Sequence, residues 1–189
     1  LQLKARGGTF PVVEIIPGQI VTRKKMIKAK NSNGFVATDV KRDILKLVVV
    51  ERHKATGNIG IGLAKGFGLR EGALASSVAH DSHNVFAVGT NDADIYDAIK
   101  EIEKMQGGLV VVNGGKIIAR LPLPVAGLLS DKPLAEVVKA LEQVENAAAD
   151  LGVVIPSPFA TLSFLALPVI PELRVTDLGI VDVKKFRLI

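Results

Sequence analysis

The sequence contains no cysteine, which excludes a disulfide scaffold, a thiolate zinc site and a cysteine nucleophile. Histidine is scarce as well, since His53, His80 and His83 are the only three in the chain. Three imidazoles are too few to build a binuclear metal centre from mostly histidine ligands. We therefore expect no metal site formed by this chain.

The sequence also lacks a long uninterrupted apolar run. Its most apolar stretch, Val153–Ile170, is broken by Pro156, Pro158 and Pro168. A membrane-spanning helix needs about 20 consecutive apolar residues. The stretch predicts a buried loop and a short helix, and we expect no membrane partner.

What the chain does contain is typical of one globular domain: 189 residues, of which 48% are apolar and 23% charged. The charge is uneven, with 12 Lys and Arg against 4 Asp and Glu in residues 1–54 and 12 against 15 in the remainder. A basic segment can bind nucleic acid. However, only Phe10 and Phe35 are aromatic there, so the lysines between residues 24 and 30 favour an exposed strand edge, and nucleic acid is an unfavoured partner.

The apolar pattern predicts an α/β (mixed α+β) fold, with a largely β N-terminal third and a mixed sheet on which two principal helices pack. The predicted strands are Phe10–Ile16, Gln19–Lys30, Ile44–Arg52, Asn58–Ala64, Ala73–Val78, Val85–Thr90, the hairpin of Leu109–Val112 with Lys116–Leu121, and short strands around Arg174 and Val181. Glycines alternate with apolar residues at positions 60 and 62. They remove one face of side chains, which predicts close approach of another backbone.

Two helices are predicted from caps and periodicity. Asn91 or Asp92 is expected to cap a helix that runs through Met105, and Ser130 or Asp131 to start the longest helix. The apolar stripe of the second helix is predicted to consist of Leu134, Val137, Leu141, Val144, Ala148 and Leu151.

Five consecutive polar residues, from His80 to Asn84, lie between two apolar strands. His80, Asp81 and His83 are candidate catalytic residues, because imidazole and carboxylate groups can move a proton or orient a water near neutral pH. Ser82 and Asn84 complete a candidate substrate-binding loop. The alternative is a turn in which Asp81 or Asn84 satisfies backbone N–H groups.

A second polar pair follows the apolar strand that ends near residue 50. Arg52 and His53 are candidates for the same substrate-binding surface, provided that the fold brings them to the His80–Asn84 loop. The alternative is a solvated strand end. Ser76 and Ser77 lack the G-x-S-x-G pattern of a nucleophile elbow, which disfavours a serine hydrolase.

Several ordered segments resemble the C-terminal domain of adenine deaminase. The resemblance runs from about Ile15 to the end and is most distinctive over Gly66–Asp92. The segments that carry it are IIPGQIVTRK, DILKLVVVERH, GFGLREGALASSVAHDSHNVFAVGTND, GGLVVVNGGKI, LPLPVAGLLSD and PFATLSFLALPVIPELRVTD.

The resemblance implies an amidohydrolase of purine salvage that converts adenine into hypoxanthine and ammonia. It implies an upstream catalytic barrel that holds the metal, manganese in most members with iron or zinc as alternatives, whose bound water attacks adenine. Residues 1–14 are then expected to join this chain to the absent barrel, and residues 15–189 to form the C-terminal domain. We expect the chain alone to be inactive, and the resemblance also implies a cytoplasmic homo-oligomer.

Two points stay open at this stage. The segments Leu121–Val125 and Pro156–Pro171 either dock against the barrel or close the chain's own core. The chain as a whole is either the accessory part of the enzyme or a stand-alone module that binds a purine-like ligand without catalysis.

Overall fold

The computed structural model describes residues 1–4, 8–28 and 30–189. Helices and strands in this part of the chain follow the predicted order closely. The strands are β1 (Phe10–Ile15), β2 (Thr22–Ile27), β3 (Lys30–Ser32), β4 (Phe35–Ala37), β5 (Ile44–Val50), β6 (Ile59–Lys65), β7 (Ala73–Ser76), β8 (Val85–Gly89), β9 (Gly108–Asn113), β10 (Lys116–Pro122), β11 (Leu173–Thr176), β12 (Gly179–Asp182) and β13 (Arg187–Leu188). The helices are α1 (Asp92–Lys104), α2 (Leu134–Asp150) and α3 (Pro158–Phe164).

Eight strands form one mixed sheet in the order β10-β9-β7-β8-β5-β6-β1-β2. Strands β1 and β6 are parallel, whereas the other neighbours in this sheet are antiparallel. Two smaller sheets, β11-β12-β13 and β3-β4, complete the strands of the described residues. The predicted mixed sheet with packed helices is confirmed.

Both faces of the large sheet are covered. On one face, α1 buries Ile95, Ala98 and Ile102 against β5, β7, β8 and β9. On the other face, α2 packs on β9 and β10, α3 packs on β7 and β8, and the β11–β12 hairpin packs mainly on β6. Strand β5, which lies between β6 and β8, is buried along nearly its whole length, as expected of a β-branched central strand.

The alternate glycines of β6 do admit another backbone, as predicted. A Cβ added to Gly60 would lie 1.7 Å from the Thr176 carbonyl oxygen, and one added to Gly62 would lie 2.7 Å from a Val175 methyl carbon. Both neighbours belong to β11, the first strand of the β11–β12 hairpin. Glycine is therefore what allows this hairpin to lie flat on β6.

The predicted strand Gln19–Lys30 was too long. Strand β2 ends at Ile27, and β3 pairs with β4 in a separate hairpin. Strand β1 begins at Phe10, which pairs with Ile27, so β2 has no partner beyond that residue in the described parts of the chain. The predicted turn at Asn33 and Gly34, with φ values of 51° and 83°, instead connects β3 with β4. Strand β2 lies at the end of the large sheet, and its lysines occupy an exposed edge as expected.

The predicted start of the longest helix at Ser130 or Asp131 was wrong. Helix α2 begins at Leu134, and Pro133 occupies the capping position with φ −57° and ψ 148° and makes no side-chain cap. A residue before proline is disfavoured in the helical region, which keeps Lys132 from extending the helix backwards.

The predicted apolar stripe of α2 is buried only in its C-terminal half. Val144 and Ala148 lie in the core, whereas Leu134 is 77% exposed and Leu141 is also exposed. The helix packs on β9 and β10, the last two strands at this side of the sheet. The N-terminal half of α2 therefore packs against less of the domain than the C-terminal half does.

The proline-rich stretch forms the predicted loop and short helix, with Phe159 and Leu162 of α3 buried in the core. Among the described residues, no helix has the length and hydropathy to cross a membrane.

Candidate functional site

The fold brings the two polar segments together. Strands β5 and β8 are antiparallel neighbours, and Val50 lies opposite Val85. Residues that follow Val50 and residues that precede Val85 therefore leave the sheet side by side. This places Arg52 and His53 against the His80–Asn84 loop.

Direct contacts hold the two segments in register. The Nε2 atom of His53 lies 2.7 Å from the carbonyl oxygen of Ser82. The guanidinium of Arg52 donates through Nε to the carbonyl oxygen of His83 at 2.5 Å and through Nη2 to that of Ala126 at 2.7 Å. Arg52 thus fastens the candidate loop to the segment after β10, and two of its nitrogens are already occupied.

His83 is built into the loop. Its backbone N–H donates to the Ala79 carbonyl at 2.6 Å, and its Nδ1 accepts from the Ala79 N–H at 3.3 Å. Burial, followed by the nearby His80 and Arg52, lowers the pKa of His83 below its usual value of 6.5. A neutral ring with its hydrogen on Nε2 matches both observations.

The solvent side of the loop carries the remaining candidates. The His80 ring packs against Phe164 of α3, with centroids 4.9 Å apart, and its centroid is 6.0 Å from that of His83. Asp81 and Ser82 are exposed. The loop therefore carries a half-buried imidazole next to an exposed carboxylate and an exposed hydroxyl, groups that can accept or donate protons.

Asn84 points inward instead. Its Nδ2 donates to Asp177 Oδ1 at 3.3 Å, while Asn58 Nδ2 donates to Asp177 Oδ2 at 3.2 Å. Within the described chain, Asn84 Oδ1 is buried and has no hydrogen-bond partner. Asp177, from the turn between β11 and β12, ties the candidate loop to the small sheet.

Sequence reasoning missed Glu51, which organises the neighbouring segment. Its carboxylate accepts hydrogen bonds from the backbone N–H groups of His53, Lys54 and Thr56 and from the Thr56 hydroxyl. These bonds, with the Thr56 N–H foremost, lower the pKa of Glu51 to about 2. A glutamate before a polar run carries no sequence signal for such a role. The tertiary structure, and not the local sequence, forms the turn that brings these N–H groups together.

The described residues do not fit a catalytic metal. No group of three or more His, Asp or Glu side chains in residues 1–4, 8–28 and 30–189 is arranged to hold one. Of the loop histidines, His83 uses Nδ1 as an acceptor for Ala79, and His53 uses Nε2 toward Ser82.

Comparison of the sequence with known proteins places this chain in a family. The profile described as "Adenine deaminase C-terminal domain" matches residues 19–187. The chain belongs to the adenine deaminase C-terminal domain family. The family resemblance inferred from the sequence segments is thereby confirmed.

Relatives named adenine deaminase match the whole chain but only part of themselves. One from Dehalococcoides mccartyi (strain ATCC BAA-2266 / KCTC 15142 / 195) is 61% identical over 189 residues, which is 100% of this chain and 33% of the relative. One from Desulfatibacillum aliphaticivorans is 50% identical over 99% of this chain and 33% of its own length. One from Brucella abortus (strain 2308) is 45% identical over 98% and 32%. This adenine deaminase C-terminal domain thus spans about a third of the length of these relatives.

Proposed function

We propose that this chain is the C-terminal part of an enzyme that hydrolyses adenine to hypoxanthine and ammonia in purine salvage. The observation that carries the proposal is the match over the full chain to proteins named adenine deaminase, at up to 61% identity among those described above. The chain covers a third of them, so the larger preceding part is where we place the catalytic barrel and its metal, manganese with iron or zinc as alternatives. Residues 1–14 would lead from the barrel into the domain formed by residues 15–189, and the last of them, from Phe10 onward, already lie in strand β1 of its sheet.

In this proposal the His80–Asn84 loop faces the mouth of the barrel. Asp81 is exposed and the neighbouring His80 is half-buried against Phe164. From these positions the two side chains could exchange a proton with the leaving amine of adenine or help to enclose the base. His83, Arg52 and His53 hold the loop in place through the backbone contacts described above. Ser82 presents a hydroxyl to the same side, and Asn84 anchors the loop from within.

The remaining proposals concern partners and location. We propose a homo-oligomer, as the family resemblance implies, and a cytoplasmic location, with which a chain free of cysteine is compatible. We do not propose nucleic acid as a partner, since the basic side chains of β2 are paired. Arg23 and Lys25 contact Glu14, and Lys24 contacts Asp182.

Activity assays on two forms of the protein test the main proposal. The full-length protein, supplied with manganese, should release hypoxanthine from adenine, whereas the chain 1–189 under the same conditions should not. Robust turnover by the chain alone would overturn the proposal that catalysis depends on the preceding part of the protein. Calorimetric binding of adenine to the chain alone, with an inactive full-length protein, would favour the stand-alone ligand-binding module.

Substitutions in the full-length enzyme test the loop. We expect His80→Ala and Asp81→Ala to lower kcat by at least about tenfold, since positioned acids and bases contribute roughly 10²- to 10⁴-fold. Asp131→Ala, at an exposed carboxylate before α2, is the matched control and should leave kcat unchanged. Wild-type kinetics for both loop variants would reduce the loop to a structural turn.

A further inference from the structure

An open apolar groove lies beside α1. It has a volume of about 610 Å³ and runs between α1 and the ends of β5 and β6. Val50, Val85 and Ile99 contribute to its apolar lining, and Ile59 and Tyr96 remain 50% and 57% exposed. Contiguous apolar surface of this kind, bordered by charged residues, is typical of an interaction site.

The N-terminal residues of the chain lead to this groove. The Val36 N–H donates to the carbonyl oxygen of Leu3 at 2.7 Å, and Nζ of Lys46 donates to that of Leu1 at 2.9 Å. The Lys46 side chain is buried, so its contact holds Leu1 firmly against the α1 face of the sheet. Leu1 itself lines the groove.

Leu1 also lines a second cavity. It has a volume of about 400 Å³ and is lined by Leu1, Gln2, Lys46 and Asp92 among others. The chain thus passes along this second cavity and reaches Leu1 at the edge of the groove. A residue placed before Leu1 would be delivered to the groove's apolar lining.

We infer that the groove binds the polypeptide segment that directly precedes Leu1 in the full-length protein. The inference rests on the proposed function, in which a larger part of the same polypeptide comes before this domain. The relatives support it, because this chain accounts for only 33% of the Dehalococcoides mccartyi protein. The apolar part of the lining favours apolar side chains in that segment.

The same preceding part would then cover the candidate loop. Arg52 lines the groove and also donates to the His83 carbonyl, so groove and loop form one continuous face. Binding in the groove would hold that face toward the barrel. The groove is therefore a docking surface that sets the position of the loop without itself contacting adenine.

Hydroxyl-radical footprinting of the full-length protein and of the chain 1–189 tests the inference. Tyr96 should be oxidised at least about fivefold more slowly in the full-length protein. Phe186, an exposed aromatic residue outside the groove, serves as the internal reference and should react at the same rate in both. Equal rates at Tyr96 would overturn the inference.

A pair of substitutions in the full-length protein provides a second readout. Tyr96→Glu should speed proteolytic cleavage of the segment before Leu1 at least about tenfold, because a buried charge would expel the segment from the groove. Met26→Glu, at a similarly exposed residue on β2, should leave cleavage at the wild-type rate. Equal cleavage of the two variants would count against the inference.

The possible outcomes distinguish this inference from self-association of the chain and from the proposed activity. Protection of Tyr96 that grows with the concentration of the chain 1–189 alone would assign the groove to a second copy, and our inference would be wrong. Protection of Tyr96 in a full-length protein that lacks turnover would support the docking surface and refute the proposed activity. Turnover without protection of Tyr96 would support the proposed activity and refute the docking surface.

Discussion

At the scale of single residues, glycine decides how closely the β11–β12 hairpin approaches the large sheet. The atom that a Cβ on Gly60 would meet is a backbone carbonyl oxygen, that of Thr176, which cannot rotate away as a flexible side chain can. Relief would require the hairpin to shift. The same hairpin carries Asp177, which holds Asn84 of the candidate loop, so the shift would also reach the site.

We predict that Gly60→Ala destabilises the domain by more than about 3 kcal/mol, because overpacking alone typically costs about 1–3 kcal/mol and this clash involves backbone. Gly18→Ala is the matched control. Gly18 has open space around its Cβ position but a φ of +71°, so it should lose only about 1–2 kcal/mol. Urea unfolding measures both losses, and equal values would contradict the packing argument.

A second residue-scale prediction concerns Glu51. Its pKa is lowered from 4.5 to about 2, so the charged form stabilises the fold above pH 4.5, and this stabilisation is lost as pH falls toward 2. Glu51→Gln should therefore lower the urea midpoint at pH 7, and the difference from wild type should shrink as the pH falls from 4.5 to 3. Glu142→Gln, at an exposed position on α2, should show no such pH-dependent difference. A constant difference at all pH values would show that the charge of Glu51 is not responsible.

At the scale of elements, the two long helices begin in different ways. Asn91 accepts a hydrogen bond from the Asp94 N–H at 2.8 Å and caps α1, as the sequence predicted. Helix α2 has no side-chain cap, because Pro133 occupies the capping position. Ser130, which the sequence favoured as a start signal, instead accepts from the Lys132 N–H in the preceding turn.

This difference predicts unequal effects of removing the two side chains. Asn91→Ala should destabilise the domain by about 1 kcal/mol, the typical cost of losing an N-cap. Ser130→Ala should change stability by less than about 0.5 kcal/mol, as is usual for surface substitutions. Thermal and urea unfolding measure both. A larger loss for Ser130→Ala would mean that its turn matters more to α2 than the capping geometry indicates.

At the scale of the whole molecule, stability should be graded across the large sheet. Strand β5 is paired on both sides and covered on both faces. In the part of the chain that the structure describes, strand β2 has a strand partner on one side only, and its outer edge is bonded only at Thr22 and Lys24, by the segment of Pro171 and Glu172. We therefore expect the backbone hydrogen bonds of β5 to open only when the whole domain unfolds. Those of β2 are expected to open locally.

Native-state hydrogen exchange should therefore give the amides of β5 free energies of opening close to that of global unfolding. The amides of β2 should exchange at least about tenfold faster, which corresponds to a difference of about 1.4 kcal/mol. Equal protection of the two strands would contradict the layered arrangement, unless oligomerisation covers β2, which repeating the measurement at lower protein concentration would reveal.

Local patterns were sufficient for much of the architecture. The β-branched run of β5, the Asn-Gly-Gly hairpin between β9 and β10, the cap of α1 and the glycines of β6 each predicted their observed structure. Each signal acts within a few residues, through backbone conformation or side-chain alternation. The buried extent of α2 could not be predicted in this way, because periodicity shows which residues share a helix face and does not show where the sheet beneath that face ends.

The candidate loop was also visible in the sequence, as five polar residues between apolar strands, and so was the family. What only the tertiary structure decided is which side chains stay available on that loop. Arg52 donates to backbone carbonyl groups, the Nδ1 atom of His83 accepts from Ala79, and Asn84 is buried beside Asp177. His80 is half-buried against Phe164, and Asp81 remains exposed. Arg174 is another side chain whose exposure the sequence does not reveal. It is fully buried among Thr22, Ile20 and Leu173, although an arginine is ordinarily exposed. Residue type and spacing determine local conformation, whereas exposure and hydrogen bonding depend on strand register between segments that lie tens to more than a hundred residues apart.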